Sequence, residues 1–80
     1  MSYFVYILEC NDNTLYTGIT TNIQKRLDEH NNSSKGAKYT KSRRPVTLVY
    51  QEPSENRSTA SKREYNIKKL TRKQKLDLLK

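Results

Sequence analysis

Cysteine and histidine are scarce in this sequence, and their scarcity excludes several classes of protein. Cys10 is the only cysteine and His30 the only histidine among 80 residues. An internal disulfide is therefore impossible, and no cysteine and histidine cluster is available to hold zinc. Long apolar runs are also missing. The longest, YFVYIL from Tyr3 to Leu8, is far shorter than a membrane span or a signal-peptide core. There is no internal repeat, flexible linker or low-complexity tract. The expectation is one domain over residues 1–80, soluble and cytoplasmic, in a chain too short for a second core. A chain of this length buries only about 60–65% of its unfolded surface, so the core should be thin.

Acidic charge is scarce in the second half. Residues 1–34 carry two basic and four acidic side chains, whereas residues 35–80 carry fourteen and four. The halves therefore differ by twelve charges, −2 against +10. Such an asymmetry favours a polyanionic partner, most simply nucleic acid. A membrane surface fits poorly, because no helix pairs a basic face with a large apolar one.

What is present reads as β-β-α-β-α-α. Tyr3 to Glu9, rich in aromatic and β-branched residues, is expected as a strand. Asn11-Asp12-Asn13 is a turn cluster, and Thr14 to Ile19 returns as the second strand of a hairpin. Thr20 or Thr21 can cap a helix from about Asn22 to Asn31. A polar loop or short helix holding Lys35, Lys38, Lys41, Arg43 and Arg44 follows and closes at Pro45. Val46 to Gln51 is the third strand. Ser54 opens a long helical segment to about Leu70. Thr71 and Gln74 form a capping box for a final short helix, whose Leu76 and Leu79 can dock on the body. The fold class expected is α+β: a small three-stranded mixed sheet flanked by helices, with parallel pairing of the second and third strands possible.

Three groups of side chains stand out. A three-residue turn pairs Cys10 with Thr14, placing Tyr6 opposite Gly18 and Tyr16 opposite Leu8, so the tyrosines are diagonal neighbours roughly 7–8 Å apart at the backbone. They are either ordinary core tyrosines or reactive hydroxyls beside the gap at Gly18. Arg26 and His30, four residues apart, share a helical face beside Ile23 and Leu27. Arg26 can pair on the surface with Glu29 or Asp28, or face a phosphate. Glu64 falls on the apolar seam of Ala60 and Ile67, where it can pair with Lys68 or hold Mg²⁺. A metal, a cation and hydroxyl or imidazole groups are together what phosphodiester hydrolysis requires.

Tyr16-Thr17-Gly18, ten residues after Phe4-Val5-Tyr6 and followed by ITTNIQKRLDEH, resembles the GIY-YIG nuclease domain. The segments GAKYTKSRRPVTLVY and KREYNIKKLTR look most like its small stand-alone bacterial members. Phe4-Val5 stands where that family has Gly-Ile, and Thr17 where it has Ile. The resemblance implies a metal-dependent endonuclease acting on DNA, in repair or processing. In it Tyr6 is the general base or its relay, and Tyr16 orients water or phosphate. Arg26 stabilises the phosphate transition state, His30 contacts phosphate or shares protons, and Glu64 binds the metal, Mg²⁺ first and Mn²⁺ second. Lys35, Lys38, Lys41, Arg43 and Arg44 are expected to contact the nucleic-acid backbone. Base readout should be slight without an appended module. The alternative is a nucleic-acid-binding module of the same fold that cuts poorly. A monomer or weak homodimer is expected. A tyrosine with a pKa near 10 is a poor base at pH 7. The base role therefore requires a lowered value or proton transfer within the site, with Arg26, Mg²⁺ and Lys38 as candidates to supply it.

Overall fold

A computed structural model describes residues 2–79. Its elements are β1 (Tyr3–Glu9), β2 (Leu15–Thr20), α1 (Ile23–Asn32), α2 (Lys38–Lys41), β3 (Thr47–Ser54), α3 (Arg57–Lys68) and α4 (Arg72–Leu78). The sheet order is β2-β1-β3, and both pairings are antiparallel. The α+β class stands, but the sheet is not mixed and β3 does not pair with β2. The reason lies in β1, whose residues Val5, Tyr6, Ile7 and Leu8 are all buried. A strand apolar on both faces belongs in the centre, covered on each side. The two strands with partly buried residues take the edges.

Alternation along β1 then builds two half-cores. Val5 and Ile7 pack with Ala60 and Ile67 of α3, flanked by Leu78 and Leu79. Tyr6, Leu8 and Cys10 pack with Val46, Ile23 and Leu27 on the α1 side. Each fully buried aliphatic side chain there contributes about 1.5–3 kcal/mol, so both helices are anchored by few residues.

The hairpin has the register expected, with Tyr6 opposite Gly18 and Leu8 opposite Tyr16. Its turn holds Asn13 at φ 67, a left-handed conformation that asparagine tolerates. Caps shift several boundaries. Asn22, rather than a threonine, caps α1 by accepting from the Lys25 amide at 3.1 Å. Asn56 caps α3 in place of Ser54. The Thr71 and Gln74 capping box opens α4 as read from the sequence. Strand β3 runs through Pro53, which an edge strand accommodates.

Candidate active site

Two of the six largest fully buried side chains are polar, His30 and Thr40. Burying them without partners would cost about 1–3 kcal/mol each, and both are bonded. His30 ends α1 facing the sheet, where its Nε2 lies 2.8 Å from the Tyr6 hydroxyl. Its Nδ1 lies 3.0 Å from Thr40 Oγ1 and 3.3 Å from the Ala37 amide nitrogen, both from the α2 region. Thr40 in turn donates to the Ala37 carbonyl at 2.9 Å.

The protein's two glycines stand beside this network, and both mark close approach. The Tyr6 ring lies across Gly18 of β2, where a Cβ would come within 2.5 Å of the Tyr6 hydroxyl. A Cβ on Gly36 would come 2.6 Å from the Glu29 carbonyl oxygen and 2.8 Å from His30 Cα. Gly36 thus lets the loop close on α1 and carry Thr40 to the imidazole.

Aromatic rings extend the site outward. Tyr16 meets His30 edge-on at 5.3 Å between centroids and lies 6.5 Å from Tyr6. Tyr39 stacks on Tyr16 at 6.0 Å, and the Arg43 guanidinium lies 3.9 Å from the centre of the Tyr39 ring. Arg26 shares the seam between α1 and the sheet with Tyr6, Ile23 and Leu27. Its Nη1 donates to Glu29 Oε1 at 2.9 Å and to the Lys35 carbonyl at 3.0 Å.

Burial dominates the electrostatics. It pushes the Tyr6 phenol up to about 12, against the pull of the neighbouring Arg26 guanidinium; the Tyr16 and Glu64 charges add to the rise. The pull of Arg26 does not outweigh burial, so the resting site does not lower the Tyr6 value. His30 is pushed down to about 4, by burial first and by Arg26 second. Moving the Tyr6 proton onto His30 in the resting site is therefore uphill. Tyr6 is a neutral phenol and His30 a neutral imidazole at pH 7.

The structure brings Tyr6, Tyr16, Arg26 and His30 together. Glu64 comes from α3, in the layer across the sheet, yet its charge reaches Tyr6. Its carboxylate lies 3.4 Å from Lys68 Nζ, the i, i+4 pair that the sequence allowed. Of the alternatives for Arg26, the ion pair with Glu29 forms, and the guanidinium also lies beside Tyr6. Among the basic residues, Lys35, Lys38 and Lys41 are exposed. Arg44 is instead turned inward, where Nε donates to the His30 carbonyl at 2.6 Å and Nη2 to those of Ser33 and Glu29. It closes the C-terminus of α1. Arg43 ties α2 to the hairpin turn through Asp12 Oδ2 at 2.9 Å. Thr40 and Gly36 were missed by sequence reasoning. Nothing local distinguishes them within a polar segment, since their partners lie on α1.

The matching family model is the GIY-YIG catalytic domain, over residues 2–77. The chain belongs to the GIY-YIG family. Within it, the chain is similar to a UPF0213 protein of Desulfotalea psychrophila, 62% identical over 99% of this chain and 72% of that one. It is also 61% identical to a UPF0213 protein of Syntrophus aciditrophicus, covering 96% of this chain and 88% of that one. Two solution NMR structures share the fold. A protein of E. faecalis gives a TM-score of 0.65 at 51% identity, covering 94% of this chain and 79% of that one. A UPF0213 protein of Bacillus halodurans gives 0.63 at 43% identity, covering 99% and 83%.

Proposed function

We propose that this protein is a divalent-metal-dependent endonuclease that hydrolyses phosphodiester bonds in DNA with little sequence preference. The observation that carries the reading is the Tyr6 hydroxyl, packed into the gap at Gly18, bonded to neutral His30 and flanked by Arg26 and Tyr16. Arg26 is held by Glu29 and the Lys35 carbonyl through Nη1 and also bonds the Tyr6 side chain, which fixes the guanidinium beside the Tyr6 hydroxyl where a phosphate oxygen can meet it. A preorganised guanidinium of this kind offsets charge that grows on phosphate in the transition state. Tyr16 and Tyr6 offer hydroxyls that orient water or phosphate, and His30 fixes the direction of the Tyr6 hydrogen bond. Lys35, Lys38 and Lys41 meet the backbone of the nucleic acid.

The donor set for a cation is spare. Among the described residues no group of three His, Cys, Asp or Glu forms a metal cluster. One carboxylate, Glu64, fits Mg²⁺, which commonly uses one or two carboxylates and keeps waters and substrate phosphate as its other ligands. When bound, such a cation, Mg²⁺ or Mn²⁺, polarises a phosphate oxygen.

A second reading, a nucleic-acid-binding module that does not cut, draws on the Glu64–Lys68 pair and the protonated Tyr6. One experiment separates the two. The protein is incubated with labelled single-stranded, duplex and branched DNA, in Mg²⁺ or EDTA, beside Glu64→Ala and Arg26→Ala. The nuclease reading expects Mg²⁺-dependent cutting that falls by about 10²–10³-fold in each variant while binding persists. Wild-type protein that binds every substrate and cuts none, with variants behaving alike, leaves the binding module.

A further inference from the structure

We propose that Thr40 is a positioning residue that sets the tautomer of His30. It holds the ring proton on Nδ1, so that Nε2 accepts the Tyr6 hydroxyl hydrogen and the Tyr6 oxygen turns its lone pairs toward the cleft. Thr40 has one hydroxyl hydrogen. That hydrogen goes to the Ala37 carbonyl at 2.9 Å, the i−3 bond that a helical threonine makes. With its hydrogen spent, Oγ1 can only accept at its 3.0 Å contact with His30, so Nδ1 is the donor. A neutral imidazole with a proton on Nδ1 has a lone pair on Nε2, and the Tyr6 hydroxyl fills it at 2.8 Å. The three contacts run head to tail in one direction, from Tyr6 through His30 and Thr40 to the Ala37 carbonyl.

A rival partner makes this arrangement a choice. The Ala37 amide nitrogen lies 3.3 Å from the same Nδ1 and would donate to it if that nitrogen were unprotonated. The amide hydrogen is aimed at Nδ1, so a proton there gives up this bond, the longest of the four, in exchange for the shorter one to Thr40. Thr40 therefore wins, and its removal hands Nδ1 to the amide. The proton then moves to Nε2, which would point a hydrogen at Tyr6 and turn the phenol's own hydrogen into the cleft. Thr40 is fully buried, so water cannot replace the hydroxyl. The use of this orientation in cutting DNA rests on the nuclease reading; the tautomer itself does not.

Long-range ¹H–¹⁵N correlation of the labelled full chain at pH 7 tests it cleanly, because His30 is the only imidazole. Wild type should show a protonated Nδ1 and an unprotonated Nε2. Thr40→Val, which keeps the shape and removes the hydroxyl, should reverse the two nitrogens, and Thr40→Ser should restore them. DNA cleavage should follow, with kcat lowered by roughly ten- to a hundredfold in the valine variant, KM unchanged, and recovery in the serine variant. A wild-type Nε2–H pattern overturns the proposal, as does a valine variant with the wild-type pattern. Should the valine chain not fold, the wild-type and serine spectra still decide. A chain that cuts nothing removes the nuclease reading and leaves the spectra to judge the tautomer.

Discussion

His30 shows what a single burial does to the pH dependence of the whole chain. In the unfolded chain its pKa is near 6.5, and in the fold it is pushed down to about 4. The groups acting on it are Arg26 and Arg44, which lower it further, and Glu29, which opposes them. Between these two values the unfolded state binds the proton and the folded state does not. Stability is thus full above about pH 6.5 and falls as the pH drops toward 4, by about 3 kcal/mol in total. Urea unfolding at pH 7, 6, 5 and 4 should show this loss beginning well above the carboxylate range. A flat profile from pH 7 to 5 contradicts a neutral buried imidazole. Tyr6 and Gly18 were legible as a pair in the sequence, because strand alternation and a short turn fix the register. Thr40 was not, because its only distinguishing feature is a partner ten residues away on another element.

At the scale of elements, α1 is held by its ends. Asn22 caps its start, and the Arg44 guanidinium closes its last carbonyls from the far side of the basic segment. A cation at a helix C-terminus also suits the helix dipole. Arg44→Ala should therefore lower the unfolding free energy by about 2 kcal/mol, since charged hydrogen bonds are worth roughly 1.5–3 kcal/mol. Lysine should restore only part, because it lacks the fork that spans three carbonyls. Denaturant titration beside a DNA-binding measurement decides the point. An alanine variant of unchanged stability and weakened binding would return Arg44 to the phosphate contacts. The sequence showed a cluster of five positive side chains but not which of them turn inward. That depends on where the loop crosses α1, and the crossing is set by Gly36. Element types were legible from periodicity and caps. Strand order was not, because parallel pairing of β2 with β3 stayed open until the burial of Val5 to Leu8 on both faces put β1 in the centre.

For the molecule as a whole, the charge asymmetry resolves into two kinds of cation. Arg26, Arg43 and Arg44 are tied to acceptors within the fold, whereas Lys35, Lys38 and Lys41 stand exposed on the segment beside the site. Replacing these three lysines by glutamine should weaken DNA binding for all sequences alike. The slope of log K against log salt should flatten by about 2–3, near 0.9 per phosphate contact on duplex and 0.7 on single strands. Fluorescence anisotropy across salt concentrations measures it. An unchanged slope would move the electrostatic contact elsewhere, to the basic faces of α3 and α4.

Asn31, beside His30, joins the two ends of that segment. Its side-chain amide donates to the Val46 carbonyl at 3.0 Å and accepts from the Val46 amide at 2.7 Å, as a neighbouring strand would. The lysines therefore ride on a loop closed at its base, whose closure entropy is already lost when the protein folds. On the nuclease reading, nucleic acid that docks there meets a closed rim, and association carries a smaller penalty for ordering backbone than an open segment would. The calorimetric mark of such a rim is a small heat-capacity change on binding, in contrast to the large negative one of a segment that folds around its partner.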